Sequence, residues 1–367
     1  MNKRYYIKRL LIILLFPLGL VLFYTTPQFP LFIEKAYSKG LFKILSQILS
    51  TITGVLPFSM AEIGLYLFSL LALFCIGYVF FRLVTQKRDK HLILVRFSLT
   101  LAAVLSIAYF FFMLLWGFNY NRLPFSQIAG LNIQPSSVKD LYEVCEKLIN
   151  QANDLRSLVD ENQNGVMYIK NGYREAFKRA DKGFHKASEL YPELGGNYGK
   201  PKGVLLSKYM SYTGISGVYC PYTAEANVDI DMPDILILST ACHEMAHQRG
   251  FAREDEANYI SYLTCKMHPD NDYKYSGTIL ALIHSMNALY KYDKESFSQL
   301  HKKYSPGIVR DFYDNSQYWK RFEGPVERAT DSLNNAYLKA NRQKDGVQSY
   351  GRMVDLLIAE HKMQKNK

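Results

Sequence analysis

The chain has 367 residues and a formal net charge of +11, from 44 Lys and Arg against 33 Asp and Glu. Residues 1–118 hold 12 of the basic residues and 3 of the acidic ones, so most of the excess belongs to the most apolar third of the chain. A nucleic-acid-binding domain would carry such charge on a folded polar face, and a disordered polyelectrolyte would lack the apolar residues. Both classes are excluded, and no nucleic-acid partner is expected.

Three apolar stretches lie in this first third, at residues 10–26, 60–81 and 97–118. Each has the length that a helix needs to cross the hydrocarbon core of a bilayer, roughly 17–25 residues. No small-residue cleavage site follows the first stretch, so we interpret it as an uncleaved anchor rather than a signal peptide. Residues 1–118 are therefore predicted to form a three-helix transmembrane region in contact with lipid.

Basic residues indicate the orientation of these helices. They cluster before the first stretch and again between the second and third, at Lys3, Arg4, Lys8, Arg9, Arg82, Lys87, Arg88, Lys90 and Arg96. By the positive-inside rule both clusters stay in the cytoplasm. The prediction is a multi-pass protein with a cytoplasmic N-terminus and an extracytoplasmic domain at residues 119–367.

The connection between the first two stretches has a helical pattern of its own. Lys35, Lys39 and Lys43 recur every four residues, and apolar residues fill the other positions between 31 and 53. This pattern is typical of a helix lying in the membrane interface. An outer loop that merely covers the transmembrane helices is the alternative, and both remain open.

From residue 135 onward the pattern becomes amphipathic. Residues 138–159 and 173–190 have helical spacing, residues 202–207 and 217–229 look extended, and the chain after Pro233 is helical with breaks near three prolines. The predicted fold class is therefore α+β, with a mostly helical domain and a small sheet within residues 202–230.

The strongest motif is His243-Glu244-Met245-Ala246-His247, an H-E-x-x-H sequence. An apolar run from Ile235 and a glycine at position 250 predict that it lies on a helix, where residues four apart project from one face. Two neutral imidazoles suit Zn²⁺, and a glutamate beside them is placed to act as general base on a water molecule. We therefore expect His243 and His247 to bind zinc and Glu244 to be catalytic.

A third ligand is expected on the next helix, predicted at residues 253–266. Glu254 and Asn258 lie four residues apart, so the first can bind the metal while the second orients a ligating histidine. Glu256 faces about 200° away from Glu254, so both cannot bind one metal ion. Glu254 is favoured over Glu256, and the choice stays open.

These motifs carry a resemblance to known proteins. His243-Glu244-x-x-His247 followed by Glu254-x-x-Ala257-Asn258 resembles the zincin metallopeptidases of the gluzincin kind. With residues 221–227, 242–250 and 349–352, the chain looks more closely similar to the DUF3810 family. That resemblance implies a protein of the bacterial cytoplasmic membrane with a transmembrane bundle and a zincin-like zinc peptidase domain.

Four further residues are candidates for substrate or oxyanion binding. In thermolysin-like peptidases an extended strand before the zinc helix holds the substrate backbone, and residues 222–229 occupy that place here. Glu225 and Asn227 either bind substrate or hold a loop in place. Tyr350 and Arg352 either donate to a developing oxyanion or are structural. The other histidines considered, among them His284, lack ligand spacing and are interpreted as surface or packing residues.

Two cysteines near the predicted site and the overall activity complete the expectations. Cys242 and Cys265 either form a disulfide that clamps the two site helices or remain free thiols. The predicted function is a zinc metallopeptidase that cuts peptide or protein substrates outside the cytoplasm. The alternatives are a non-catalytic zinc-stabilised receptor or assembly factor, and a hydrolase of cell-wall or small-molecule amides.

Overall fold

The N-terminal third consists of long helices joined by short turns. The computed structural model describes residues 3–86 and 88–365, so Lys87, part of the basic loop, lies outside the described residues. The helices of this part are α1 Lys3–Ile13, α2 Leu15–Thr25, α3 Pro30–Phe32, α4 Lys43–Gly54, α5 Met60–Thr85 and α6 Lys90–Leu115.

Three helical segments are long and apolar enough to cross a membrane: Lys3–Gln28, which contains α1 and α2, and the helices α5 and α6. The three predicted stretches are confirmed at this level. The predicted end of the third stretch at residue 118 is wrong, because the helix ends at Leu115 and a tight helical turn follows at Gly117–Asn121. Trp116 and Phe118 are buried among protein side chains there rather than facing lipid.

The segment between α2 and α5 is helical over most of its length, with a widened turn at Ile33–Phe42 before α4. One face packs on the C-terminal part of the chain: Ser46 Oγ donates to the Gln248 carbonyl (2.8 Å), and buried Glu34 pairs with buried Arg122 (2.7 Å). The opposite face exposes an apolar stripe of Leu41, Ile44, Ile48, Ile52 and Val55. The segment therefore joins the C-terminal domain directly and still presents an apolar surface outward.

The C-terminal part is mostly helical, with a small sheet. Its helices are α7 Phe125–Ile128, α8 Val138–Arg156, α9 Gly172–Lys178, α10 Asp181–Ser188, α11 Ser207–Ser211, α12 Asp234–Gln248, α13 Glu254–Met267, α14 Asn271–Tyr292, α15 Lys294–His301, α16 Pro306–Lys320, α17 Pro325–Ala340 and α18 Met353–Lys365. The strands are β1 Lys202–Gly203, β2 Gly217–Cys220 and β3 Glu225–Val228.

The sheet has the order β1-β3-β2, with β3 parallel to β1 and antiparallel to β2. A mostly helical domain with a small sheet is confirmed. The predicted strand at 202–207 is shorter than expected, because the chain turns into α11 at Ser207. The predicted single helix at 173–190 is two helices, with a break at Arg179, whose guanidinium pairs with the carboxylates of Asp270 and Asp272.

Helices α12, α13 and α14 pack against one another at the centre of the domain, and β3 packs on α12. Close packing here depends on Gly277 of α14, since a Cβ at that position would lie 2.3 Å from the Cys265 Cβ. Cys265 and Cys242 are both buried as free thiols, which is the second of the two expected alternatives. Burial raises the pKa of the Cys265 thiol, which also contacts Cys242. The result is a rigid, buried platform for the residues of α12 and α13.

Candidate metal centre

Helix α12 carries the H-E-x-x-H motif through the interior of the domain. It begins after Pro233, and nearly every residue from Ile235 onward is buried. The helix ends before Gly250, whose φ of 80° lies in the left-handed region and whose missing Cβ leaves room for Phe42 and Asn119. His243 and His247 are one turn apart on the same face, as the motif requires.

Three side chains meet at this face. The nearest ligand atoms of His243, His247 and Glu254 all lie within 4.8 Å of one another, and all three residues are buried. Glu254 Oε2 lies 3.1 Å from His243 Nε2 and 3.6 Å from His247 Nε2. The first residue of α13 therefore brings a carboxylate to the two imidazoles of α12.

The other nitrogen of each histidine is held by a hydrogen-bond acceptor. His243 Nδ1 lies 2.7 Å from Asn258 Oδ1, and His247 Nδ1 lies 2.6 Å from the Phe251 carbonyl oxygen. Both contacts favour the tautomer that carries its proton on Nδ1, because a carbonyl oxygen only accepts. Each Nε2 is thereby directed toward Glu254, which raises the pKa of His247 to about 9 against the effect of burial. A metal ion bound between these groups would replace the proton on that nitrogen.

Charge and burial shift the pKa values of the two glutamates of the site in opposite directions. Burial opposes ionisation of Glu254, but the adjacent His247 and His243 outweigh it and hold the pKa of Glu254 at about 2. Burial dominates for Glu244 and raises its pKa to about 7, with only partial compensation from the histidines. Glu254 is therefore ionised at neutral pH, and the pKa of Glu244 lies in the range that suits a general acid–base group.

Glu244 lies against the edge of the sheet. A Cβ on Gly217 would sit 2.4 Å from Glu244 Oε1, so any side chain at this position of β2 would displace the carboxylate. The Tyr219 backbone N–H faces the carboxylate and favours its ionised form. Glu244 Oε2 is buried and has no hydrogen-bond partner among the residues that the structure describes. The carboxylate is positioned by β2 but keeps one oxygen available.

Strand β2 lies at the edge of the sheet, and β3 lies in its centre. The interpretation of residues 222–229 as the substrate-holding edge strand is therefore wrong. In β3, Glu225 accepts from the Met60 and Ala61 backbone N–H groups (3.0 and 2.7 Å) and pairs with buried Lys202. Asn227 Nδ2 donates to the Val218 carbonyl (3.2 Å). Both candidates make structural contacts, and Glu225 fixes the start of α5 to the sheet.

The two late candidates lie in different places. The Tyr350 ring stacks on His243, with ring centroids 6.3 Å apart, and its carbonyl accepts from Asn258 Nδ2 (3.0 Å). Arg352 is exposed and pairs with Asp345 and Asp355. The structure therefore brings Tyr350 to the metal centre and leaves Arg352 outside it.

Glu256, the other candidate ligand, points away from the histidines. Its carboxylate accepts from the Phe125 backbone N–H (2.9 Å) and pairs with Arg253. These contacts tie α13 to α7. Of the two acidic residues that the sequence left open, the structure places only Glu254 beside His243 and His247.

A cavity of about 490 Å³ opens in front of His243 and Glu244. Besides these residues and Tyr350, it is lined by side chains that sequence reasoning missed, namely His284 of α14 and Asp331 and Asn334 of α17. His284 was interpreted as a surface or packing residue, because a lone histidine carries no spacing signal. Burial, with a further effect of His243, lowers the pKa of His284 to about 4, so its imidazole is neutral here.

Aromatic rings close the other side of the metal centre. The Trp116 ring meets the His247 ring edge-on with centroids 5.4 Å apart, and Tyr219 lies 6.4 Å from the same imidazole. Trp116 directly follows α6. A position at the end of an apolar helix offered no sequence signal for a contact with His247.

The residues present fit a divalent transition metal. Two imidazole nitrogens and one carboxylate oxygen converge, and both imidazoles are oriented by acceptors on their far nitrogens. Three protein ligands with a cavity beyond them is the arrangement of a catalytic rather than a structural zinc site. The same donor set also suits other borderline divalent ions, so the geometry by itself does not select zinc.

Comparison with known proteins gives one match. A family model described as a protein of unknown function, DUF3810, matches residues 37–358. No curated protein and no solved structure matches the chain. Since the match covers most of the chain, the protein belongs to the DUF3810 family, and the sequence resemblance to that family is confirmed.

Proposed function

We propose that this protein is a membrane-anchored zinc metallopeptidase with a zincin-like domain. One observation carries the proposal: His243, His247 and Glu254 converge beside a buried glutamate that borders a cavity and the edge of a sheet. Zinc is favoured among the suitable metals because a three-ligand site of two histidines and a glutamate is a known catalytic zinc arrangement. When bound, the ion would polarise a substrate carbonyl and acidify a water molecule.

Glu244 would move the proton in this reaction. Its unpaired Oε2 is available to accept a proton from the attacking water, and its pKa of about 7 allows it to return that proton to the leaving amine. Gly217 lies against the other carboxylate oxygen, so the acceptor oxygen keeps one orientation.

Strand β2 supports a peptide as the substrate. The Asp229 N–H donates to the Ser216 carbonyl, and Gly217 pairs in register with Val228. Because hydrogen-bonded and non-bonded pairs alternate in an antiparallel ladder, the backbone groups of Gly217 and Tyr219 point away from β3, toward Glu244. An extended peptide can add to this free edge and place a carbonyl beside Glu244.

The alternatives fit these observations less well. A non-catalytic zinc-stabilised receptor or assembly factor gives no role to a buried carboxylate oxygen without a partner among the described side chains and backbone groups. A hydrolase of cell-wall or small-molecule amides would use the same residues but has no need of a free strand edge.

The location follows from the apolar helices and the charge pattern. We propose that Lys3–Gln28, α5 and α6 span the bacterial cytoplasmic membrane. The basic residues of the N-terminus and of the turn between α5 and α6 would stay in the cytoplasm, so the metal centre would face the extracytoplasmic side.

The test uses the purified full chain in detergent with a mixed-sequence peptide library, and products are identified by mass spectrometry. The wild type should cut peptides, and Glu244→Gln should be slower by about 10²–10⁴-fold, the usual contribution of a general base. Glu189→Gln changes an exposed glutamate and serves as the matched control. Equal cleavage by Glu244→Gln and wild type, with zinc present in both, would overturn the proposal.

A further inference from the structure

The metal centre lies close to the end of α6. Residues 97–115 of this helix are 19 uncharged residues, a length of about 28 Å, close to the thickness of a hydrocarbon core. With Arg96 at one boundary of the hydrocarbon core, Leu115 lies at the other boundary. The next residue, Trp116, contacts His247 with ring centroids 5.4 Å apart. The metal ligands are thus about one side chain away from the membrane boundary.

The other two apolar segments are fastened to the same domain. Glu62 in the first turn of α5 accepts from the backbone N–H groups of Leu205 and Leu206 (2.8 and 3.0 Å). Arg342, which follows α17, donates to the Phe23 carbonyl of α2 (3.0 Å). All three segments are therefore attached to the same domain, and they fix its height above the membrane.

The turn after β2 reaches below that boundary. Tyr222 Oη donates to the Ala108 carbonyl of α6 (2.9 Å). Ala108 lies seven residues before the end of the helix, a depth of about 10 Å. Tyr222 is 46% exposed and Val218 is 48% exposed, so neither side chain is packed in the domain core.

Strand β2 therefore connects the membrane to the catalytic glutamate. It runs from Gly217, against Glu244, to Cys220, just before Tyr222. The three steps from Gly217 to Cys220 span about 10 Å of extended chain, and Tyr222 follows in the turn at residues 221–224. A peptide lying along the free edge of β2 would have one end at Glu244 and the other in the membrane interface.

From this geometry we infer that the substrates are membrane-tethered polypeptides, cut within about five residues of the membrane boundary. The inference rests on the proposed function. A polypeptide held by a transmembrane helix or a lipid chain presents an extended segment at this height. A soluble peptide would have to enter the interface to align with β2.

The experiment uses the full chain in phosphatidylcholine vesicles with one cleavable sequence taken from the peptide library. This sequence is offered as a soluble peptide and as palmitoylated peptides with about 3, 10 or 25 flexible Gly/Ser residues between the lipid and the cleavable segment. Tethering alone raises the effective concentration of every palmitoylated peptide, so the spacer series separates geometry from concentration.

We expect the peptide with the shortest spacer to be cut at least about 10-fold faster than the peptide with the longest spacer and the soluble peptide. A long spacer does not hold the cleavable segment in line with β2. Tyr222→Ala should reduce the ratio of short-spacer to soluble cleavage. Tyr209→Ala, which removes a 68% exposed tyrosine of α11, should leave that ratio unchanged.

Rates that stay equal or rise with spacer length would overturn the inference and leave the proposed function intact. Soluble peptide cut as fast as the short-spacer substrate would do the same. Failure to cut any of the substrates, with zinc bound, would overturn the proposed function itself and this inference with it.

Discussion

The metal centre has two halves that are built in different ways. The ligand half comes from α12 and α13, where His243, His247 and Glu254 lie within 12 consecutive residues and are all buried. The cavity half comes from β2, α14, α17 and the turn Gly346–Arg352, which are distant from one another in sequence. In the proposed function, the first half would determine which ion binds, and the second would determine what reaches Glu244. The candidate ligands are close together in the sequence, whereas the cavity is formed only by tertiary packing.

The largest effect is expected on zinc affinity when one of the three candidate ligands is removed. Glu254→Gln removes a carboxylate that lies 3.1 and 3.6 Å from the two imidazoles. Loss of a direct ligand should weaken zinc binding by more than about 100-fold, the upper range for residues that only orient a ligand. A competition titration with a chelating dye measures this affinity.

Glu256→Gln is the matched control, because Glu256 is also buried and acidic but contacts Phe125 and Arg253. Its zinc affinity should equal that of the wild type in the folded protein. A loss of zinc in Glu256→Gln, with none in Glu254→Gln, would reverse the ligand assignment.

A smaller effect on the cleavage rate is expected from a change at Gly217, where the cavity half contacts Glu244. Gly217→Ala places a Cβ 2.4 Å from Glu244 Oε1, so the carboxylate must shift while the metal ligands stay in place. A displacement of about 1 Å in a catalytic group lowers the rate about 100-fold. Peptide cleavage should fall by that factor, and zinc affinity should not change.

Gly64→Ala serves as the control for this change, since a Cβ at this position of α5 meets nothing within 4 Å. Equal rates for wild type and Gly217→Ala would mean that β2 does not position Glu244. Loss of zinc in Gly217→Ala would mean that the two halves are not separable.

The smallest effect is expected within the cavity half. Tyr350→Phe keeps the ring that stacks on His243 and removes only the hydroxyl. Removing an oxyanion donor costs about 10²–10³-fold in kcat, whereas loss of a positioning hydroxyl should cost less than about 10-fold. We expect the smaller loss, measured as kcat on the same peptide. A loss above 10²-fold would instead make Tyr350 the oxyanion donor.

The sequence predicted the ligand half well because its information is local. A four-residue spacing on one helix determines which side chains share a face, so His243, His247 and the position of Glu244 could be identified directly. The same reasoning favoured Glu254 over Glu256, and the structure places Glu254 at the histidines. Their role as metal ligands remains a prediction.

The cavity half could not be predicted because its residues have no shared spacing. His284 is a single histidine on a long helix, and Gly217 matters only because α12 passes directly against it. The edge strand was assigned to residues 222–229, since strand order in a sheet is not visible in the order of the chain. The apolar helices were predicted correctly, but not the burial of Trp116 against His247.

The most direct test of the metal centre is the zinc content of the purified full chain, measured by elemental analysis after dialysis. We predict one zinc ion per chain in the wild type and in Glu244→Gln, because Glu244 is not a ligand. His247→Ala should lose the ion, because one of three converging donors is removed. Full zinc occupancy in His247→Ala would contradict the account.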